Sequence, residues 1–530
     1  MVKWLMLWGA AFAAATLGGC GGDSSDTSTT STSTAHGTLA VNPPFRIASL
    51  DAPSLQAQLS ATTSGAQLLE ITGNPTCGVD FYHVEFWTVG GAAETTESSG
   101  ALMVPTGSGC TGPRPIVLYA HGTNPNKALD IADPTDPTNT EGILIAAMFA
   151  AQGYIVVAPN YAGYDISTLG YHPFVNAVQQ SGEMIDILTA ARTALPNTLS
   201  SATSDSGKLF VTGYSEGGHV AMATQRALQQ SGMPATAVAP MSGPYALEAF
   251  GDALFYGDVD LGSTEFAPLL TTSYQKAYGN VYTTPSDVYS ATYASGIETL
   301  LPSDTPIATL YADNLLPELA LFDITTPVVT QSAELTAILS VPGSPTYPLP
   351  VTAQTPLFAL GFGSPYLINN TYRVSYILDA ASNPDGAVPT PSAGVPLAAT
   401  EPTQGLRQDF YKNDLRNGAW QPSTPTLLCG GDADPTVYFS VNTGTMATFW
   451  SPLVQAGLIT VLDVGGTPGG PFAQVQVGFQ ASQASLLAYY QTTAGGGLSL
   501  ANATLELVEN YHENVAPFCT LAARAFFSQF

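Results

Sequence analysis

Positive charge is what this chain has least of: thirteen Lys and Arg stand against forty Asp and Glu in 530 residues, a formal net charge of −27. Nucleic-acid binding rests on clustered cations that neutralise phosphates, so this balance argues against a nucleic-acid partner. Charge of either sign is sparse at 10% of residues. Solubility then falls to Ser, Thr, Gly and Pro and to the acidic excess, as in many secreted proteins. Long apolar runs are missing as well, since Trp4 to Leu17 is shorter than the ~20 residues of a membrane-spanning helix. No His/Cys grouping has metal-ligand spacing and no phosphate-binding loop is present, so no metal or other cofactor is expected. There is no internal repeat. The length exceeds that of a usual single domain and predicts one domain with a large insertion, or two domains.

The N-terminus reads as a targeting segment. Met1-Val2-Lys3 is a short basic stretch, and the apolar run after it ends in Leu17-Gly18-Gly19-Cys20. That ending resembles the lipobox of bacterial lipoproteins. The resemblance implies removal of residues 1–19, lipidation of Cys20 and membrane association through that anchor. Gly21 in place of Asp implies an outer-membrane or cell-surface destination in a Gram-negative bacterium, and a plain secretory peptide cut nearby is the alternative. Residues 20–43 are expected to be a flexible tether, because from Gly21 to about Gly37 the chain has almost nothing apolar to bury.

Four cysteines remain, Cys77, Cys110, Cys429 and Cys519, an even number that suggests two disulfides in an exported protein. Four cysteines allow three pairings. Phe81 to Val89 and Ser99 to Pro105 read as a hairpin turning through Gly90 to Glu94, and Cys77 and Cys110 are about equidistant from that turn. A Cys77–Cys110 bridge would staple its open end, leaving Cys429–Cys519 by elimination.

The most informative stretch runs from Leu209 to His219. An apolar, β-branched run (Leu209 to Thr212) meets Gly213-Tyr214-Ser215-Glu216-Gly217, and a helix former follows. Strand, Gly-x-Ser-x-Gly, helix is the context of a nucleophile elbow, in which Gly213 and Gly217 let the chain turn tightly enough to expose the Ser215 hydroxyl. Around it, buried strands are expected at Pro115 to Ala120, Tyr154 to Ala158 and Ala235 to Ala239. Helices are expected at about Glu141 to Gln152 and Val175 to Leu195. This alternation predicts an α/β fold with a doubly wound, mostly parallel sheet and an antiparallel hairpin at one edge. It stops between 248 and 422, read as an inserted, mainly helical cap. It resumes over 423–530, with a strand at Thr424 to Cys429, a helix at about Tyr438 to Ala456 and a strand at Leu458 to Val464. A Gly-rich insertion over 465 to about 500 and a closing helix complete the chain. The core would thus comprise 44–247 and 423–530.

A serine alcohol needs a histidine to take its proton and an acid to orient that histidine. With the order Ser, acid, His, only His512 of the six histidines lies beyond both the elbow and the post-insertion strand. His36 lies in the tether, His83 on the hairpin, and His219 one turn down the elbow helix. For the acid, Asp434 in Gly431-x-x-Asp434-Pro435-x-Val437 is preferred, with Asp432 and Asp463 as alternatives. The oxyanion donors are expected to be the backbone N–H groups of Glu216, after the nucleophile, and Thr123, after His121-Gly122.

The motifs Tyr119-Ala-His-Gly-Thr123, Ala158-Pro-Asn-Tyr-Ala-Gly-Tyr164, His172-Pro-Phe174, Gly213 to His219 and Gly430-Gly-Asp-Ala-Asp-Pro-x-Val437 together resemble the secretory lipase/esterase branch of the α/β-hydrolase superfamily. The resemblance covers about 80–245 and 420 onward. It implies a lid formed by the insertion and a serine carboxylic-ester hydrolase that acts through an acyl-enzyme on hydrophobic esters, lipids or polyesters among them. The interval between Val464 and His512 is longer than the family's usual one. A serine peptidase or acyltransferase of the same fold is the alternative, followed by a non-catalytic surface-binding lipoprotein. Oligomeric state is not encoded in any motif.

Overall fold

The computed structural model describes residues 35–198, 202–325, 355–388 and 394–530. The signal segment, Cys20 and the tether up to residue 34 lie outside the described residues. Eleven strands are described: β1 (Phe45–Leu50), β2 (Gly78–Val89), β3 (Thr95–Thr106), β4 (Gly112–Ala120), β5 (Ile155–Pro159), β6 (Thr203–Tyr214), β7 (Ala237–Met241), β8 (Phe322–Asp323), β9 (Phe362–Gly363), β10 (Thr426–Gly430) and β11 (Ile459–Asp463). Nine of them form one sheet in the order β1-β2-β3-β5-β4-β6-β7-β10-β11. From β5 to β11 every neighbour is parallel, and β1, β2 and β3 add an antiparallel edge. The expected doubly wound sheet is therefore present.

Continuous apolar runs make the central strands because helices cover both faces. On β4, Val117 and Tyr119 join one core with β5 and the closing helix, while Ile116, Leu118 and Ala120 join the other. The longer helices are α1 (Ala52–Ser60), α2 (Thr63–Thr72), α3 (Thr140–Met148), α4 (Ala177–Thr198), α5 (Glu216–Gln230), α6 (Leu247–Tyr256), α7 (Ser263–Tyr278), α8 (Asn370–Ser382), α9 (Gly405–Asn413), α10 (Ala473–Gln491), α11 (Leu500–Glu509) and α12 (Tyr511–Phe527). Helices α3 and α12 cover the first face, and α4 and α5 the second. Helices α6 to α9 belong to the mainly helical cap, whose own apolar core holds Phe250, Phe255, Tyr376 and Phe410.

Several expectations change. The last described residues of the 20–43 segment are no tether: Gly37 and Ala40 donate to Trp87 and Glu85 of β2, and Leu39 is buried. Residues 52–72, which show no sequence pattern, form α1 and α2, each started by a side-chain cap from Asp51 or Thr62. The helix expected from Tyr438 to Ala456 is broken into a π-turn (Ser440–Gly444) and two short helices, the second beginning at Ser451-Pro452. The Gly-rich insertion is a helical hairpin, α10 and α11, whose glycines lie outside the helices except Gly478.

Both bridges are present, with Cα separations of 5.9 Å (Cys77–Cys110) and 5.7 Å (Cys429–Cys519). The hairpin register pairs Val89 with Thr95 and Gly78 with Thr106. Strict pairing would set Cys77 opposite Gly107. The turn closed by Cys110 N donating to Gly107 O brings Cys110 back to Cys77.

Candidate active site

The turn after β6 is shaped by what does not fit there. A Cβ on Gly213 would meet Gly217 O at 2.3 Å, and one on Gly217 would meet Ala120 O at 2.0 Å. Both positions must be glycine for β4, β6 and α5 to approach. Ser215, between them, is held at φ 59° and ψ −124°, a region that non-glycine residues rarely occupy. The strain is held by Ser215 N donating to Met241 O (3.0 Å) and Gly218 N to Ser215 O (2.8 Å). The serine thus caps α5 and lies at the N-terminal, positive end of its dipole.

Asp434 lies four residues beyond β10 and is fully buried. Its Oδ1 accepts from Thr436 N and Val437 N, both at 2.9 Å. Its Oδ2 meets His512 Nδ1 at 2.7 Å. The other two acids are occupied elsewhere. Asp463 Oδ1 accepts from Asp432 N (3.1 Å) and Gly465 N (2.9 Å), and Asp432 Oδ1 accepts from Tyr511 OH at 3.4 Å. Of the three candidates, Asp434 is the one joined to the histidine.

His512 stands in the first turn of α12 rather than on a free loop. Tyr214, the residue before Ser215, reaches it from the elbow: its hydroxyl donates to His512 O, and the two rings lie 4.9 Å apart. Burial disfavours the charged imidazole, but the Asp434 charge and hydrogen bond, with Glu513 and Glu141 behind them, hold its pKa above the ordinary value. Its Nε2 is buried and has no hydrogen-bond partner. With Nδ1 engaged, Nε2 is the nitrogen left to accept a proton.

Ser215, Glu216 and Thr123 line a cavity together with residues of the cap. The rest of its wall is mostly apolar, including Phe174, Leu247, Phe250, Leu254, Phe266 and Leu270. The proposed oxyanion residues and the proposed nucleophile therefore border the same space. His219 faces away, with Nε2 3.0 Å from Asn413 O, and burial lowers its pKa to about 4.

A buried polar network behind the site was not assigned a role from the sequence. Glu141, in the first turn of α3, accepts from Gly122 N with both oxygens (3.1 and 3.0 Å) and from Tyr119 OH (2.6 Å), fixing the loop that leads into Thr123. Glu216 Oε1 meets His172 Nε2 at 2.7 Å and accepts from Gln180 Nε2 at 2.6 Å. Burial works against its charge, yet His172 and the hydrogen bonds hold the Glu216 carboxyl below its ordinary pKa. The His172-Pro-Phe motif marked the position without indicating this pairing. Separately, His83, Asp130 and Asp165 bring possible metal-ligand atoms within 4.8 Å of one another. There Asp165 Oδ2 meets His83 Nε2 at 2.8 Å and accepts from Ser99, so the group is a hydrogen-bonded clasp between β2, β3 and two loops. None of these residues lines the cavity at Ser215.

No protein-family model matches the sequence, and no curated protein matches it. Solved structures do share the fold. The rice cell wall degrading esterase LipA from Xanthomonas oryzae is 24% identical with a TM-score of 0.59, over 86% of this chain and 98% of that one. A candidate hydrolase from Legionella pneumophila is 18% identical with a TM-score of 0.58, over 92% and 97% of the two chains. At these identities the likeness establishes an α/β-hydrolase-like fold.

Proposed function

We propose that this protein is a serine carboxylic-ester hydrolase acting through an acyl-enzyme on hydrophobic esters. One observation carries the reading. A strained serine at the β6–α5 turn follows Tyr214, whose hydroxyl donates to the backbone of a histidine whose Nδ1 is held by a buried aspartate at 2.7 Å and whose Nε2 is buried and unpartnered. In this reading Ser215 Oγ attacks the ester carbonyl as its proton passes to His512 Nε2, and Asp434 fixes the tautomer and stabilises the imidazolium. The backbone N–H groups of Glu216 and Thr123 receive the oxyanion. His512 then returns the proton to the leaving alcohol. Water, activated by the same nitrogen, releases the acid from Ser215. The apolar wall of the cavity suits a hydrophobic acyl or alcohol group. Esterase activity in a protein of like fold supports the class of reaction.

The same reading takes the protein as exported and anchored through a lipid on Cys20, which the two disulfides accommodate. Among the described residues no helix is long and apolar enough to cross a membrane.

Ser215→Ala tests the enzyme reading. It is expected to abolish hydrolysis of short p-nitrophenyl esters and labelling by a fluorophosphonate, with an unchanged circular dichroism spectrum. Full residual activity in the variant would overturn it.

A further inference from the structure

From Val464 to Leu505 the chain contains no Asp, Glu, Lys, Arg or His, although the molecule carries a formal charge of −27. This uncharged stretch is not core. It forms α10, the Gly-rich turn and the start of α11, and it leaves large apolar side chains in water: Val477 is 48% exposed, Tyr489 37%, Leu500 59% and Leu505 39%. Leu486, Leu487 and Leu498 are half-buried near the same end of the hairpin. The tip is held in shape, with Gly497 N donating to Thr492 O (2.7 Å) and Leu498 N to Tyr490 O (3.0 Å). Around the leucines the exposed polar and small residues are Gln, Asn, Thr, Ser, Ala and Gly. Such a surface approaches an apolar phase without desolvating a charge.

The root of the hairpin meets the active site. Helix α11 runs into α12, where His512 occupies the first turn. Val508 packs with Leu261 and Leu357 of the cap, and Asp260, beside Leu261, lines the cavity at Ser215.

We propose that the α10–α11 hairpin is a docking surface for a water-insoluble, uncharged ester phase and brings the mouth of the cavity to that phase. The inference rests on the ester-hydrolase reading and gives its substrate class a physical state. Charge selects the occupant. An anionic bilayer or a second copy of this chain would meet a molecule of net charge −27 with like charge, whereas a neutral oil surface would not. The hairpin lies outside the cap, so docking does not depend on any movement of the cap.

The test compares Leu500→Glu/Leu505→Glu with Leu500→Met/Leu505→Met, on a triolein emulsion and on a short p-nitrophenyl ester in true solution. Both positions are exposed and helical, so neither pair disturbs packing. The Glu pair is expected to lose about tenfold or more on the emulsion while keeping the dissolved-ester rate within about twofold, and the Met pair to keep both. An unchanged emulsion rate in the Glu pair, or an equal loss on both substrates, overturns the proposal. So does a change in the Glu pair's sedimentation that reveals a dimer seated on the hairpin, or weaker binding to anionic vesicles with unaltered binding to oil. Co-flotation of Ser215→Ala with triolein droplets, with and without the Glu pair, reads docking without turnover. Failure of the hydrolase reading and failure of the docking surface are thereby told apart.

Discussion

Asp434 and Asp432 stand two residues apart on one loop, and only Asp434 reaches the histidine. Asp434→Asn should leave the fold intact and lower kcat by about 10⁴-fold, through loss of the tautomer and of imidazolium stabilisation. Asp432→Asn should retain activity within about threefold, because this exposed carboxylate accepts from Tyr511 and an amide oxygen can accept in its place. The acid limb of kcat/KM follows from His512. It must be neutral to accept the serine proton, and its pKa is raised, so activity should fall away below a midpoint higher than the ordinary imidazole value of about 6.5. Whatever residual activity Asp434→Asn retains should show that limb moved down, because the charge that raises it is gone. A pH–rate profile of both proteins checks the sign, and a limb below the ordinary value in the wild type would remove Asp434 as the dominant neighbour. At this scale the pairing of Asp434 with His512 was legible in the sequence, because chain order constrains the chemistry. The sequence was silent on the partners of Glu141, Gln180 and His172. Which buried acid finds which donor is decided by packing across the sheet, and neither spacing nor periodicity records it.

The elements show the same division. Strands buried on both faces were legible as short apolar runs, such as Ile155 to Ala158 of β5, set between a glycine and a proline. The hairpin α10–α11 was hidden by flanking glycines and by an interior of Gln, Ala and Ser, which forms helix readily but carries little apolar period. Elements also explain how two distant loops keep their register. Cys429 is the fourth residue of β10, five before Asp434, and Cys519 lies two turns beyond His512 on α12. Their bridge ties the strand that delivers the acid to the helix that delivers the base. The chain-entropy model gives about 4.6 kcal/mol for this bridge, with a sequence separation of 90. It gives about 3.7 kcal/mol for Cys77–Cys110, with a separation of 33. Paired Cys→Ala variants should therefore both lower the urea midpoint, with the larger loss for Cys429/Cys519. Under native conditions only that pair should also lower kcat, because the other staples a hairpin remote from the reacting groups. Equal kcat in the two variants would show that α12 holds His512 in place without the bridge.

For the molecule as a whole, the cap is held together by buried charge as well as by apolar contact. Arg407 of α9 meets Glu248 (3.2 Å) and Asp252 (2.9 Å) of α6 and Asp379 (2.9 Å) of α8, while Arg416 holds Asp385 and Asp414, both at 2.7 Å. Five acids share two guanidinium groups, and burial decides which acids remain protonated. Burial pushes Glu248 up to about 9 and Asp252 to about 6, against the pull of Arg407. Glu248 Oε2 meanwhile accepts from Ala399 N at 2.7 Å, which binds α6 to the segment before α9. The folded state holds a proton on Glu248 that the unfolded chain releases near pH 4.5. This contribution to stability is complete below that value and is lost as pH rises through about 9, with a steepest slope of about 1.4 kcal/mol per pH unit. Urea unfolding measured from pH 6 to 9 should therefore show a declining midpoint. Glu248→Gln, which keeps an acceptor for Ala399 and carries no proton to lose, should flatten that decline while remaining folded. An equally steep decline in the variant would assign the pH dependence to other groups and leave Glu248 ionised beside Arg407. The low count of basic residues gives this experiment its leverage. With thirteen Lys and Arg in the chain, two of them buried within the cap, each proton retained by an acid beside them spares the fold an uncompensated charge.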